Sequence, residues 1–522
     1  MSDLVTGVLD AAEREPHSVA IIDGHCRELT YGELRRRVEA VAGAMTGLRP
    51  GDGVLFAVRP GPDAVTLALG AVAAGGMLVL ADPGLAPDVA AARIAVTEPA
   101  WVVADSLVYA LSGPLRAIAR RRGLTLPHLR DPLPGRPVRH LYSGPWLPGV
   151  PRGAVRLRTL ERGRPANAAR AGGPVAEPGM PVVGQPGRPV PGQRAERPDQ
   201  AAVVAFTSGT TGRPRGVVHT RGSLAESSAI FRAAIPLGPG DVVHTDQLML
   251  GLPALMAGAT WSLPGSRPYA EELAARGATH AFCVPVRLDT ILRETPALPG
   301  TLRCLLLGTA PSPPAVLRRA RAAAPHAEIW SVYAMTEALP IAVASAEEKL
   351  ANPEGDLLGT PLPGVAVRIG DDGELFVSGP QLARGYLGEP PLTEVATGDL
   401  ARLDEHGRLV LLGRKKDMIL RDGVNIYPGL YEPAVAALPG VAEAAVIGIP
   451  DPETGDEEVV LAVIADPDFD PARLRGSLPR IVDVGALPDR IEVVDTFPRG
   501  GRTDKLDRAR LRATLAAMRP SR

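Results

Sequence analysis

Residues 201–219 constrain the fold more than any other stretch of the chain. Ala201-Ala-Val-Val-Ala-Phe206 is an apolar run that reads as a buried strand. It breaks into Thr207, Ser208, Gly209, Thr210, Thr211 and Gly212, and a second β-branched run starts at Gly216-Val217-Val218. Glycines let the backbone approach a ligand closely, and hydroxyls with backbone N–H groups make a concave anion nest. Such a turn suits a nucleotide triphosphate. It differs from the phosphate loop that ends in Gly-Lys-Ser/Thr and opens a helix, because no lysine follows and the next element reads as a strand. Alone, six Ser/Thr/Gly residues would describe a solvated turn; Pro214 and Arg215 make the run far more specific.

Around this stretch the pattern alternates. Residues 4–15 and 32–48 have helical periodicity, with Thr30 and Glu33 spaced as a capping box. A strand at 54–58, a helix at 63–74 and a strand at 77–80 continue a β-α-β order that predicts a parallel sheet covered by helices. The most apolar run, 65–81, contains Gly70, Gly75 and Gly76 and reads as helix, turn and strand, not as a membrane span. Residues 112–200 are rich in Pro, Gly and Arg, and read as a solvated, partly disordered insertion. The alternative is a basic docking face for CoA phosphates, an acidic carrier protein or an anionic membrane. Alternation resumes from 201 to 345, where Leu307-Gly308-Thr309-Ala310-Pro311 ends a strand in a turn, the place where open α/β sheets bind ligands. Short strands and turns follow to about 412. The expected division is a large domain, 1–413, and a small α/β domain, 414–522.

With 522 residues, 45% of them hydrophobic, the chain can bury a large core. A net charge of −1 gives no overall attraction to nucleic acid or membrane. Cys26, Cys283 and Cys304 form no metal pattern and suit a reducing, cytoplasmic setting, and the N-terminus lacks a signal-peptide profile. Lysine occurs only at 349, 415, 416 and 505, while arginine is abundant. Arginine is wider and does not deprotonate, so a position that keeps lysine marks a need for a compact ammonium.

Four further motifs follow in order. Ile329-Trp-Ser-Val-Tyr333-Ala-Met-Thr336-Glu337 is a strand running into a polar turn; Thr397-Gly398-Asp399 follows a turn-rich stretch; Gly413-Arg414-Lys415-Lys416-Asp417 leads to Asp422-Gly423-Val-Asn-Ile-Tyr-Pro428; and Phe497-Pro498-Arg499 precedes Lys505. Individually, a helix start, a turn aspartate, a solvated basic run and a surface lysine would explain them. Together with the 204–219 run they resemble the adenylate-forming superfamily of acyl-CoA synthetases, luciferases and peptide-synthetase adenylation domains, across most of the chain and in family order. The chain departs from that pattern at Arg215, where lysine is usual, at Ala334, where glycine is usual, and before Lys505, which has one extra residue and Asp504 in place of glycine.

The resemblance implies a large domain of stacked β-α-β sheets with a small mobile lid. It implies an enzyme that activates a carboxylic acid with ATP as acyl-AMP and passes the acyl group to a thiol, either CoA or the phosphopantetheine of a separate carrier protein. Residues 207–212, Arg215, the Gly308-Thr309-Ala310 turn, Tyr333, Asp399 and Arg414 would then contact the nucleotide, with Tyr333 on adenine and Asp399 and Arg414 on ribose. Thr336 would bond the α-phosphate or acyl carboxylate. Glu337 would hold Mg2+, consistent with that ion's preference for hard oxygen ligands shared with phosphates. Lys505 would serve adenylation, Lys416 would be the hinge, and Gly423 would lie beside the thiol tunnel. Leu248, Met249, Leu250, Leu252 and Leu255 suggest either an apolar acyl tunnel or a core helix. Two other readings compete with thiol transfer: an unusual acceptor, either a hydroxyl closing a β-lactone or a nitrogen nucleophile, and a non-catalytic nucleotide-binding relative.

Overall fold

The structure is a computed structural model and describes residues 3–81, 87–121, 126–161, 196–207, 215–352, 355–421, 424–450, 457–500 and 505–518. Among these, two sheets dominate. The smaller has eight strands, in the order Gly385–Tyr386, Arg215–Thr220, Ala201–Thr207, Met77–Leu80, Gly53–Ala57, Trp101–Asp105, Arg139–Ser143 and Val155–Arg156. From Ala201–Thr207 to Val155–Arg156 neighbours are parallel, and the first two strands are antiparallel additions. The larger has thirteen strands. Its parallel part runs through Val19–Ile22, Thr260–Ser262, Val242–His244, His280–Cys283, Cys304–Gly308 and Glu328–Met335. From there antiparallel pairing carries it through Ala338–Ser345, Asp356–Pro361, Leu409–Arg414, Val395–Leu403 and Glu374–Ser378 to Ala366–Ile369.

The helices Leu4–Arg14, Tyr31–Ala44, Pro62–Ala73, Arg221–Ala234 and Leu248–Ala257 lie between the two sheets. Their apolar faces share one core with Val54, Phe56, Leu78 and Val103 of the smaller sheet and Ile21 and Trp261 of the larger. The capping box at Thr30 and Glu33 is formed, with Thr30 accepting from the Glu33 N–H and Glu33 accepting from the Thr30 N–H. The buried Asp3–Arg221 ion pair, 2.6 Å long, ties the start of the first helix to the start of Arg221–Ala234. Run 65–81 is the helix Pro62–Ala73 followed by the strand Met77–Leu80, and no helix among the described residues is long and apolar enough to cross a membrane.

One expectation needs correction, and one open alternative is narrowed. Residues 112–200 are not irregular throughout: Arg139–Ser143 is a strand of the smaller sheet with Leu141 and Tyr142 buried, and helix Leu157–Glu161 packs Leu157 into the central core. Residues 162–195 lie outside the described residues. Of the two readings of helix Leu248–Ala257, the packing among the described residues favours the core helix. Leu252, Leu255 and Met256 belong to the central core, and Leu250 packs with Phe231, Ile235 and Leu306. Gly251 lies so close to Trp261 that a β-carbon there would come within 2.1 Å of the indole. The void beside Leu248 and Leu252 is only about 30 Å³, room for a single water.

After residue 414 a three-stranded sheet, Val441–Pro450, Glu457–Ala465 and Arg490–Val493, packs helices Pro428–Ala436 and Pro471–Ser477 on one face. Helix Arg508–Ala517 covers the other face through Leu511 and Leu515.

Candidate functional site

The parallel strands of the larger sheet end together, and the expected site residues gather at that end. Strand Cys304–Gly308 ends at Gly308, and Thr309 adopts φ +67°. A β-branched residue in the left-handed region is strained by about 1–3 kcal/mol, and such strain concentrates at functional turns. One strand further along, Glu328–Met335 does not lead into a helix. Met335 pairs with Ala338, so Thr336 and Glu337 are the two central residues of a tight hairpin.

Tyr333, Asp399 and Arg414 meet at the neighbouring edge. Asp399 and Arg414 are cross-strand partners in adjacent antiparallel strands. The Tyr333 hydroxyl donates to Asp399 Oδ2 at 2.7 Å, and Arg414 Nε forms an ion pair with Oδ1 at 3.0 Å. Burial, then the Asp399 charge and hydrogen bond, push the Tyr333 phenol well above its ordinary pKa, so it remains a donor at neutral pH. The turn beneath Asp399 is pinned locally. Thr397 Oγ1 accepts from the Asp399 N–H at 3.0 Å and donates to the Leu375 carbonyl, while the Gly398 N–H donates to Glu374.

The hairpin carrying Thr336 and Glu337 is joined to the smaller sheet. His219, at the end of strand Arg215–Thr220, contacts the Thr336 carbonyl through Nε2 at 2.7 Å. A carbonyl only accepts, so Nε2 carries the proton. Burial lowers the His219 pKa and keeps the ring neutral. The Glu337 carboxylate is buried, receives a 2.8 Å hydrogen bond from the Tyr386 hydroxyl, and has no ion-pair partner among the described residues. A buried carboxylate that, among the described residues, has no cation beside it and one oxygen without a partner fits the hard-ligand requirement of Mg2+. Arg215 stacks on the Tyr386 ring at 3.5 Å and pairs with Glu389 at 2.9 Å. The turn before Arg215, with Ser208, Gly209, Thr210, Thr211 and Gly212, lies outside the described residues, as do Gly423 and the side chain of Thr207.

Lys505 opens a short strand, Lys505–Leu506, paired antiparallel with Arg499–Gly500, and residues 501–504 between them lie outside the described residues. Its side chain reaches the surface, yet nearby protein desolvates the ammonium and lowers its pKa. Repulsion from Arg414 and Lys416 adds to this and attraction to Asp399 opposes it, so Lys505 is within electrostatic range of Asp399 and Arg414.

Lys416 is the middle of a one-turn 3-10 helix, Lys415–Asp417, fastened on both sides. Lys415 Nζ holds Asp372 at 2.7 Å and Glu374 at 2.8 Å, in the larger sheet's turn. Asp417 faces Arg508 at 3.6 Å, and Arg508 also pairs with Glu432 at 2.6 Å and donates to the Val446 carbonyl at 3.0 Å. The fourth lysine, Lys349, is buried and donates to Asp356 and the Leu357 carbonyl, both at 2.5 Å, a slim clip inside the fold.

Sequence reading missed Tyr386, Glu389, His219 and the Lys415–Glu374 contact. Tyr386 reaches a residue 49 positions away, a pairing that no local spacing encodes.

Comparison with known proteins adds three findings. Residues 8–387 match the AMP-binding enzyme family, and residues 431–505 match the AMP-binding enzyme C-terminal domain. Among curated relatives, a 2-succinylbenzoate–CoA ligase of Bacillus velezensis is 32% identical over 288 residues, covering 49% of this chain and 58% of that protein. A feruloyl-CoA synthase from Amycolatopsis sp is 28% identical over 526 residues, covering 94% of each chain. Among solved structures, the amide bond synthetase McbA from Marinactinospora thermotolerans superposes with a TM-score of 0.77 at 26% identity, covering 98% of this chain and 99% of that one.

Proposed function

Because the chain belongs to the AMP-binding enzyme family of adenylate-forming enzymes, we propose that it joins a carboxylic acid to a thiol in two half-reactions. The observation that carries this reading is the gathering of Tyr333, Asp399, Arg414 and the Thr336-Glu337 hairpin at one sheet end, with Lys505 in electrostatic range. In the first half-reaction a substrate carboxylate oxygen attacks the α-phosphorus of ATP, and pyrophosphate leaves with the electrons of the broken P–O bond. In the second, a thiol attacks the acyl carbon, the sulfur proton passes to base, and AMP leaves.

Each residue takes one task in this reading. Residues 207–212 and the Gly308-Thr309-Ala310 turn wrap the nucleotide, and Tyr333 lies against adenine. Asp399 exchanges its present partners for the ribose hydroxyls, with Arg414 beside it. Thr336 bonds the α-phosphate or the acyl carboxylate. Glu337 would hold magnesium, which when bound offsets phosphate charge. Lys505 supplies a second positive charge to the α-phosphate. Lys416 is the pivot that removes Lys505 before the thiol enters, and Gly423 borders the thiol path. The thiol belongs to CoA, or to the phosphopantetheine of a separate carrier protein.

The similarity to an amide bond synthetase favours one second reading, in which a nitrogen nucleophile takes the acyl group from the same adenylate. Both readings require nucleotide binding. Calorimetry is expected to show ATP binding that strengthens with magnesium and weakens at least tenfold in Asp399→Ala, which loses hydrogen bonds to a charged acceptor. A parent protein that binds no ATP would contradict both.

A further inference from the structure

The Glu337 carboxylate is set in place by a segment outside the expected motifs. Residues 383–387 run between the hairpin and strand Arg215–Thr220. The Ala383 N–H donates to the Glu337 carbonyl at 2.8 Å, and the Arg384 N–H donates to the Val218 carbonyl at 2.9 Å. The Leu387 N–H donates to the Gly216 carbonyl at 2.7 Å. These bonds place the Gly385–Tyr386 strand in register, with Tyr386 opposite Val217. From there the Tyr386 hydroxyl reaches Glu337 Oε1 at 2.8 Å.

We propose that Tyr386 is a positioning residue for the metal-facing carboxylate of Glu337, with Arg215 and Glu389 as the brace that holds its ring. The proposal rests on the reading of Glu337 as a magnesium ligand. A carboxylate turns freely about its last side-chain bond, and a ligand must present one oxygen in a fixed direction. The phenol occupies Oε1 and leaves Oε2 for the ion, the arrangement in which an outer hydrogen bond orients a metal ligand. The brace also accounts for arginine at 215. A flat guanidinium covers an aromatic face and still pairs with Glu389, whereas a lysine ammonium presents a point charge.

The test uses Mn2+ as the probe, bound with ATP to the full chain and followed by electron paramagnetic resonance, beside a magnesium titration of pyrophosphate release. Tyr386→Phe keeps the ring under Arg215 and removes only the hydroxyl. It is expected to weaken Mn2+ binding by about 10–100-fold and to raise the magnesium requirement equally, with turnover at saturating magnesium near the parent's. Loss of turnover without any change in metal affinity would mark a merely structural tyrosine and overturn the proposal, as would parental Mn2+ affinity. Glu337→Gln separates the two levels. If Glu337→Gln weakens Mn2+ binding and Tyr386→Phe does not, the positioning role alone is wrong. If neither variant changes it, the metal reading of Glu337 fails as well.

Discussion

Lys505→Ala is expected to lower adenylate formation by about 10²–10³-fold, the usual cost of removing one preorganised group that meets developing charge. ATP affinity and the thiol half-reaction from a supplied acyl-adenylate should stay near parental, because those steps do not use that ammonium. The expectation rests on where the lysine sits. Its hairpin brings it within range of Asp399, Arg414 and Lys416, and burial with the two cations lowers its pKa. Lys505→Arg should rescue poorly, since a broad guanidinium would replace the compact ammonium offered to the α-phosphate. Pyrophosphate exchange measures the first half-reaction directly, and parental exchange by Lys505→Ala would remove Lys505 from the mechanism.

Lys416→Pro is expected to split the two half-reactions. The 3-10 turn is clamped ahead of the pivot by Lys415 on Asp372 and Glu374, and behind it by Arg508 on Asp417 and Glu432. A rotation between the clamps must therefore be absorbed by the backbone at Lys416. Proline fixes φ near −65°, and forcing it into a backbone it does not accept costs about 3 kcal/mol, or about 10²-fold in rate. In this conformation Lys505 feels the charges of Arg414, Asp399 and Lys416. A pivot frozen there spares adenylation and slows thioester formation by that factor. Single-turnover measurement of each half-reaction reads the difference. Equal loss of both, in a protein with the parental melting profile, would place the pivot elsewhere.

Much of this architecture was legible because its signals are local. The Thr30–Glu33 box, the β-α-β alternation and the strand into Tyr333 each follow from spacing within a dozen residues, and each appears in the structure. Strand Arg139–Ser143 was hidden because it is short and flanked by Pro, Gly and Arg; its pairing to Trp101–Asp105, and not its composition, makes it a strand. Helix Leu248–Ala257 is apolar on every face, and such a helix does not reveal whether its side chains line a pocket or fill one. That question turns on the two sheets that pack against it. The Tyr386–Glu337 bond and the Lys415–Glu374 bridge depend on long-range strand register, which single-sequence patterns do not carry. Lysine scarcity singled out four positions, of which Lys349 is buried in a slim polar clip and Lys415 spans two carboxylates; the roles of Lys416 and Lys505 rest on the experiments above.

The central claim is that one pocket makes an acyl-adenylate and hands it to a thiol. Its most direct test is pyrophosphate release over a panel of carboxylic acids with ATP and magnesium, with and without CoA, and with product masses recorded. The account predicts that at least one acid releases pyrophosphate, gives acyl-AMP when CoA is withheld, and gives acyl-CoA with AMP when CoA is present. An acid that releases pyrophosphate but yields only an amide or a lactone, whatever thiol is offered, would contradict it.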